Sequence, residues 1–162
     1  MRAMGMQIFA TKRYVPAAAD AVVERYFSPD ELHAMLAVCD YVVIAAPLTP
    51  ETRHMMGDAE FAAMKPSAVL INVGRGPVVD TDALVRALSG KRIRGAGLDV
   101  VEPEPLPVGH ALYGMDNVLL SPHCADVVAG WKEGSMRFFL EQYARFEKGE
   151  PLLNVVNKRL GY

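Results

Sequence analysis

The sequence is poor in the features that would assign it to several classes of protein. It has two cysteines, Cys39 and Cys124, so far apart that we expect two reduced thiols rather than a disulfide framework or a metal site. Its longest apolar runs are strand-sized and fall well short of the roughly 20 residues that span a bilayer. Its net charge is -2, which offers no basic surface to nucleic acid or to anionic lipid. These features predict a cytoplasmic protein that binds neither nucleic acid nor membranes.

What the sequence does have is a regular alternation of apolar runs with helical patterns. Hydrophobic residues make up 51% of its 162 residues, enough for a domain with a real core. The pattern predicts strands at 5–10, 40–48, 67–73, 93–100 and 117–123, and helices at 28–39, 58–65, 80–91 and 130–149. Such alternation is typical of an α/β fold, a Rossmann-like doubly wound parallel sheet with helices on both faces.

Three of these segments carry more detailed predictions. Ser28, Pro29 and Glu31 form the capping-box pattern of a helix start. The run 40–48, "DYVVIAAPL", is apolar throughout and predicts a strand that is buried on both faces. The segment 130–149 has apolar side chains at helical spacing, which predicts a stripe packed against the rest of the domain.

Ligands of parallel sheets bind at the carboxyl ends of the strands, so the residues that follow each strand are candidates for a site. The first strand is followed by Lys12 and Arg13. The later strands are followed by Pro47, Leu48 and Thr49, then by Val73, Gly74, Arg75 and Gly76, then by Asp99, Glu102 and Glu104, and finally by His123. We expect these side chains to share one rim.

An arginine, a glutamate and a histidine on one rim suit the reduction of a 2-keto acid. The guanidinium of Arg75 is a planar fork that can hold a carboxylate through two hydrogen bonds. The imidazole of His123 can exchange a proton with the substrate oxygen near neutral pH, and a neighbouring carboxylate can hold its tautomer. Hydride must come from a cofactor, because no side chain supplies one.

Four motifs in order resemble those of the D-isomer-specific 2-hydroxyacid dehydrogenases: "VIAAPLTPETRHMM", "MKPSAVLINVGRGPVVDTDALVRAL", "GAGLDVVEPEPLP" and "LLSPHCA". The resemblance covers essentially the whole chain. It implies that Arg75 binds the substrate carboxylate, and that His123 is the proton donor or acceptor, paired with Glu104. Glu102 is the nearer alternative to Glu104, but the motif assigns the role to the glutamate of the final "EP". Asp99 matches an aspartate that contacts the nicotinamide carboxamide.

The resemblance also implies a nicotinamide cofactor. The expected cofactor-binding residues are Lys12, Arg13, Ala46, Pro47, Val73, Gly74, Arg75, Asp99 and His123. In NAD-binding members an acidic residue ends the second Rossmann strand and bonds the ribose 2′-hydroxyl. Here Lys12 and Arg13 stand at that place, and two cations suit a 2′-phosphate. We therefore expect NADP to be preferred, with NAD as the alternative.

The glycine-rich motif G-x-G-x-x-G of that family does not occur in the sequence. We therefore expect residues 1–150 to form a partial NAD(P)-binding Rossmann domain that starts after its first strand and phosphate loop. Residues 151–162 would be an arm that returns to a substrate domain outside the chain. Such a chain would leave strand edges unpaired, which favours poor folding or self-association.

Two functional hypotheses follow from this reading. The first is part of a reductase of small 2-keto acids, with glyoxylate or hydroxypyruvate as substrate and D-lactate and 3-phosphoglycerate chemistry as alternatives. The intact Arg75, Glu104 and His123 favour it. The second is a catalytically inert domain that acts by binding, for example by pairing with full-length subunits. The resemblance implies a homodimer for the full-length protein.

Overall fold

The computed structural model describes residues 2–12 and 21–159, which form an α/β fold. Within these residues the strands are β1 (Phe9–Thr11), β2 (Arg25–Phe27), β3 (Tyr41–Ile44), β4 (Val69–Asn72), β5 (Gly95–Leu98) and β6 (Val118–Leu120). The α-helices are α1 (Leu32–Leu36), α2 (Asp58–Ala63), α3 (Thr81–Ser89) and α4 (Trp131–Glu147). Short 3₁₀ turns lie at Arg2–Met4, Pro29–Glu31, Gly76–Val78 and Ala111–Gly114.

Every strand pairing is parallel, which confirms the predicted Rossmann-like architecture. β1 pairs with β2 in a two-stranded sheet, and β3, β4, β5 and β6 form a four-stranded sheet in chain order. β2 is a strand that the sequence pattern did not predict. In the larger sheet, Ile44 is level with Asn72, Asn72 with Leu98, and Leu98 with Leu120. The four strands therefore end in one row, and the residues that follow them start from one rim.

One face of the four-stranded sheet packs against α1, α2 and α3 in a single core. Its buried members include Val42, Ile44, Leu70, Ala96 and Leu98 from the strands and Leu36, Phe61, Leu84 and Leu88 from the helices. The prediction that β3 is buried on both faces is wrong. Tyr41 and Val43 point to the opposite face and are 48% and 39% exposed, because the three core helices all pack on the first face.

The long helix α4 forms where the pattern predicted it, but the prediction that its apolar stripe packs against the domain is wrong. None of its residues is buried. The segment after α4 folds back along it instead, where Arg145 Nη1 donates to the carbonyl of Pro151 at 3.1 Å and the Leu153 amide donates to Gln142 Oε1 at 2.7 Å. Within the described ranges, no helix combines the length and the apolar character needed to cross a membrane.

The capping box at the start of the first helical segment is present as predicted. Both the backbone amide and the hydroxyl of Ser28 donate to Glu31 Oε2, at 2.9 and 3.2 Å. These bonds lower the pKa of Glu31, the backbone bond being the larger cause. The segment begins as a 3₁₀ turn at Pro29 and continues directly into α1, so the local sequence fixes where the chain leaves β2.

Candidate active site

The centre of the rim is a hydrogen bond between an imidazole and a carboxylate. His123 Nδ1 lies 2.7 Å from Glu104 Oε1, and both side chains are partly exposed. A carboxylate at this place accepts a hydrogen bond from Nδ1–H, which leaves Nε2 as the nitrogen that exchanges a proton with a ligand. The two residues that the motifs singled out as an acid–base pair are thus in contact, and their catalytic role stays a prediction.

The loop that carries His123 is held by Asp99, which is largely buried at the end of β5. Its Oδ1 accepts from the Ser121 hydroxyl at 2.6 Å and from the Cys124 amide at 2.9 Å. Its Oδ2 accepts from the Ala125 amide at 2.9 Å, and its carbonyl accepts from the His123 amide at 2.9 Å. The Ser121 bond first, then the two amides, lower the pKa of Asp99 to about 2. Asp99 therefore stays ionised and fixes the loop on both sides of His123.

The turn that carries Arg75 is organised by Asn72, the last residue of β4. Asn72 is 1% exposed, and its Oδ1 accepts from the Gly74 amide at 3.0 Å. Its Nδ2 donates to the carbonyl of Arg75 at 3.1 Å. The guanidinium of Arg75 is exposed and donates through Nη1 to the carbonyl of Gly74 at 2.8 Å. Sequence reasoning missed Asn72, although an asparagine just before a glycine turn is a known turn signal.

Glu102 does not contact His123, so the structure favours Glu104 over this alternative partner. The carboxylate of Glu102 instead lies 2.6 Å from Arg53 Nη2 and 2.7 Å from His54 Nε2. Its pKa is lowered by these partners, with the hydrogen bond to His54 as the larger contribution. No sequence motif pointed to His54 as the partner of Glu102, because the two residues are 48 positions apart.

The expected cofactor side of the rim has a close backbone approach. A Cβ on Gly74 would lie 2.9 Å from the carbonyl oxygen of Ala46, so the loops after β3 and β4 touch there. Pro47 follows Ala46 in the chain. Val73, which precedes Gly74, is 42% exposed. Lys12 stands exposed just after β1, in the separate two-stranded sheet, with its Nζ 5.7 Å from the centre of the Tyr26 ring. Arg13 lies outside the described residues.

The two thiols are separate, and neither forms a disulfide. Cys39 is half-buried, and burial raises the pKa of its thiol. Cys124 is exposed next to His123, where its amide serves Asp99. In the ranges 2–12 and 21–159, no group of three or more histidine, cysteine, aspartate or glutamate side chains could hold a metal ion.

Comparison with known proteins places this rim in a family context. Residues 1–125 match the family model described as "D-isomer specific 2-hydroxyacid dehydrogenase, NAD binding domain". Among curated relatives, a glyoxylate reductase of Thermococcus gammatolerans is 40% identical over 159 residues, which is 98% of this chain and 47% of the relative. The chain thus spans about half the length of this relative.

Solved structures agree with this assignment. A D-isomer-specific 2-hydroxyacid dehydrogenase from Xanthobacter autotrophicus, in complex with NADPH and MES, superposes with a TM-score of 0.85 at 36% identity, covering 98% of this chain and 73% of that one. An NADPH-dependent glyoxylate/hydroxypyruvate reductase from Sinorhizobium meliloti, in complex with NADP and sulfate, gives a TM-score of 0.87 at 33% identity, covering 99% of this chain and 51% of that one.

Proposed function

Because the chain belongs to the D-isomer-specific 2-hydroxyacid dehydrogenase family, in its NAD-binding domain, we propose that it serves an NAD(P)-dependent interconversion of small 2-keto and D-2-hydroxy acids. Glyoxylate and hydroxypyruvate are the proposed substrates, since proteins similar to this one carry those names. The observation that carries the proposal is the 2.7 Å contact of His123 Nδ1 with Glu104 on the rim that also bears Arg75.

In this proposal, Arg75 binds the substrate. Its guanidinium is exposed at the end of β4, and its backbone is fixed by Asn72. A planar fork of N–H groups can hold both oxygens of a 2-keto acid's carboxylate, which orients the adjacent carbonyl. A lysine would offer the same charge without the paired geometry, so the residue type matters here.

Proton transfer falls to His123. When bound, a nicotinamide cofactor supplies or accepts the hydride at the substrate's C2. In the reducing direction His123 gives a proton from Nε2 to the carbonyl oxygen as C2 is reduced, and in the oxidising direction it takes that proton back. Glu104 keeps the Nδ1–H tautomer and stabilises the charged imidazole.

The cofactor preference proposed is NADP, with NAD as the alternative. Lys12 is the described cation at the end of β1, and a cation pairs with a 2′-phosphate better than with a 2′-hydroxyl. Ala46, Pro47, Val73 and Gly74 would lie along the dinucleotide. In this arrangement residues 1–150 form part of the NAD(P)-binding domain, and residues 151–162 form an arm toward a substrate domain.

The proposal is tested by following NADPH oxidation with the 162-residue chain and hydroxypyruvate or glyoxylate, in parallel with NADH. Turnover that is faster with NADPH and that is lost in His123→Gln would support the proposal. The matched control is His110→Gln, which removes an imidazole whose Nδ1 accepts from the amide of Leu112 rather than pairing with a carboxylate. Equal and measurable rates for wild type and His123→Gln would contradict the assigned role of His123.

A second candidate function is binding rather than catalysis, and one observation favours it. Five apolar side chains of α4, here called the α4 stripe, are each more than half exposed: Met136, Phe139, Leu140, Tyr143 and Phe146. An exposed apolar patch of this kind is typical of a protein interface. In this candidate the chain pairs through α4, with a second copy or with a full-length subunit, whether or not it turns over substrate.

A further inference from the structure

The first glutamate of the "VEPEP" segment, Glu102, has a set of contacts of its own. The carboxylate of Glu102 is bonded on one oxygen by Arg53, at 2.6 Å, and on the other by His54, at 2.7 Å. Its backbone carbonyl accepts from the Thr81 hydroxyl at 2.6 Å. Three side chains from two other segments therefore fix one residue, two positions before Glu104.

The turn at Arg53 and His54 also holds the other loop of the site. The amide of His54 donates to the carbonyl of Pro77 at 2.8 Å, two residues after Arg75. Its imidazole meanwhile reaches Glu102, so this one residue contacts both the arginine loop and the glutamate loop. His54 has a φ of 52°, in the left-handed region that costs a non-glycine residue energy. The bonds on either side of it hold that conformation in place.

We propose that Glu102 is a positioning residue, which through Arg53 and His54 sets the placement of Glu104 against His123. The inference rests on the proposed function, since it concerns the same acid–base pair. An isolated ion pair on a surface contributes little to stability. Glu102 differs because its side chain is only 27% exposed and both its oxygens are bonded. Displacing a catalytic group by about 1 Å can cost roughly a hundredfold in rate.

The placement of Glu104 depends on how Glu102 is held. Glu104 meets His123 through one carboxylate oxygen at 2.7 Å, and both side chains are about two-fifths exposed, so solvent competes for that contact. The chain enters Glu104 from Glu102, whose position is fixed by three bonds. Without those bonds, the segment that presents Glu104 would be held from that side by backbone contacts alone. We therefore expect the His123–Glu104 contact to weaken when Glu102 loses its partners.

The test reads the tautomer of His123 directly, by ¹⁵N NMR of the 162-residue chain labelled at its four histidines. The variants are Glu102→Ala, which removes both side-chain bonds, and His54→Asn, which removes one and keeps a residue that tolerates positive φ. The matched control is His33→Asn, because His33 Nε2 makes an equivalent 2.8 Å contact with a different carboxylate, that of Glu60.

The expected result is a roughly fivefold fall in the ratio of Nδ1–H to Nε2–H tautomer at His123 in both test variants, as for loss of one net hydrogen bond. His33→Asn should leave that ratio unchanged. The inference would be overturned if Glu102→Ala is folded, as judged by its amide spectrum, and its His123 signals are the same as in the wild type. If Glu102→Ala does not fold, His54→Asn decides by the same signals.

The measurement separates this inference from the proposed function. Measuring the tautomer ratio needs no cofactor, substrate or turnover. It therefore tests the role of Glu102 even if the wild-type chain is inactive. If the wild type does turn over keto acid, the two test variants should lower kcat roughly ten- to a hundredfold with little change in KM, because Arg75 is untouched. A change confined to KM would count against a role at the acid–base pair.

Discussion

The Cα of Gly76 lies directly against the carbonyl of Val101, so close that a Cβ at residue 76 would overlap the oxygen and carbon of that carbonyl. This contact joins the loop that follows Arg75 to the segment that precedes Glu102. A glycine is required there for space, since backbone rather than a flexible side chain fills the place of the missing Cβ. The separation between the two loops of the candidate site is thus set by backbone contact.

The first prediction is that Gly76→Ala destabilises the chain. Relieving the overlap requires the two loops to move apart, which typically costs about 1–3 kcal/mol. The free energy of unfolding, measured in urea, should fall by that amount. Gly114→Ala is the control, because Gly114 is exposed and has no atom within 4 Å of its would-be Cβ. Equal losses in the two variants would show that the contact with Val101 is not the cause.

The second prediction concerns the guanidinium of Arg75. Arg75→Lys keeps the charge and loses the paired hydrogen bonds to a carboxylate, and a bond to a charged group is worth about 1.5–3 kcal/mol. KM for hydroxypyruvate in the NADPH assay should therefore rise roughly ten- to a hundredfold. Arg86→Lys is the control, since Arg86 pairs with Asp58 on the surface. An unchanged KM in Arg75→Lys would refute its assignment as the carboxylate-binding residue.

The third prediction uses the low pKa of Asp99. The Ser121 hydroxyl is the largest cause of its shift from an ordinary 3.8 to about 2. Because the folded pKa lies below the unfolded one, the carboxylate's contribution to stability is complete above about pH 3.8 and is lost as the pH falls toward 2. In Ser121→Ala the folded pKa should rise, so that the contribution of the carboxylate to stability becomes smaller and its loss is complete at a higher pH.

Carboxyl ¹³C NMR titration of Asp99 checks this directly. Ser67→Ala is the matched control, because Ser67 is exposed and lies before β4, far along the chain from Asp99. It should leave the titration of Asp99 where it is in the wild type. A Ser121→Ala chain with the same Asp99 titration would mean that the amides of Cys124 and Ala125 alone hold the carboxylate ionised.

The sequence predicted well where the strands end and hence where the rim lies, because strand ends are determined by local sequence. Short apolar, β-branched runs followed by glycine, proline or polar residues fix where each strand ends. Parallel pairing then puts those ends in one row, as Ile44, Asn72, Leu98 and Leu120 show. The contact of His123 with Glu104 followed from that row together with the family motifs.

What the sequence could not show depends on contacts between distant segments. An apolar run such as Tyr41–Ile44 reads the same whether one or both faces are covered, and here Tyr41 and Val43 stay exposed. The periodicity of α4 predicts an apolar stripe but not what covers it. Likewise the partner of Glu102 is His54, and nothing in either local sequence marks a pair 48 positions apart.

The fourth prediction concerns the nucleotide. Lys12→Glu places an acidic residue after β1, where a carboxylate can accept from a ribose 2′-hydroxyl and repels a 2′-phosphate. Binding measured by the fluorescence of NADPH and NADH should shift toward NADH by at least about tenfold in the ratio of Kd values. Lys132→Glu, on α4, is the control with the same change of charge. A ratio unchanged by Lys12→Glu would exclude contact between Lys12 and the 2′ position.

The fifth prediction concerns the α4 stripe. If two copies pair through it, each buried apolar side chain contributes about 2 kcal/mol, and a symmetric pair loses that twice in Phe139→Glu. Dimerisation should then weaken by about a thousandfold, and sedimentation should show a monomer where the wild type associates. Ala144→Glu adds the same charge to α4 at an exposed position outside the stripe. Association that survives Phe139→Glu would place the interface elsewhere, with the exposed face of β3 as the next surface to examine.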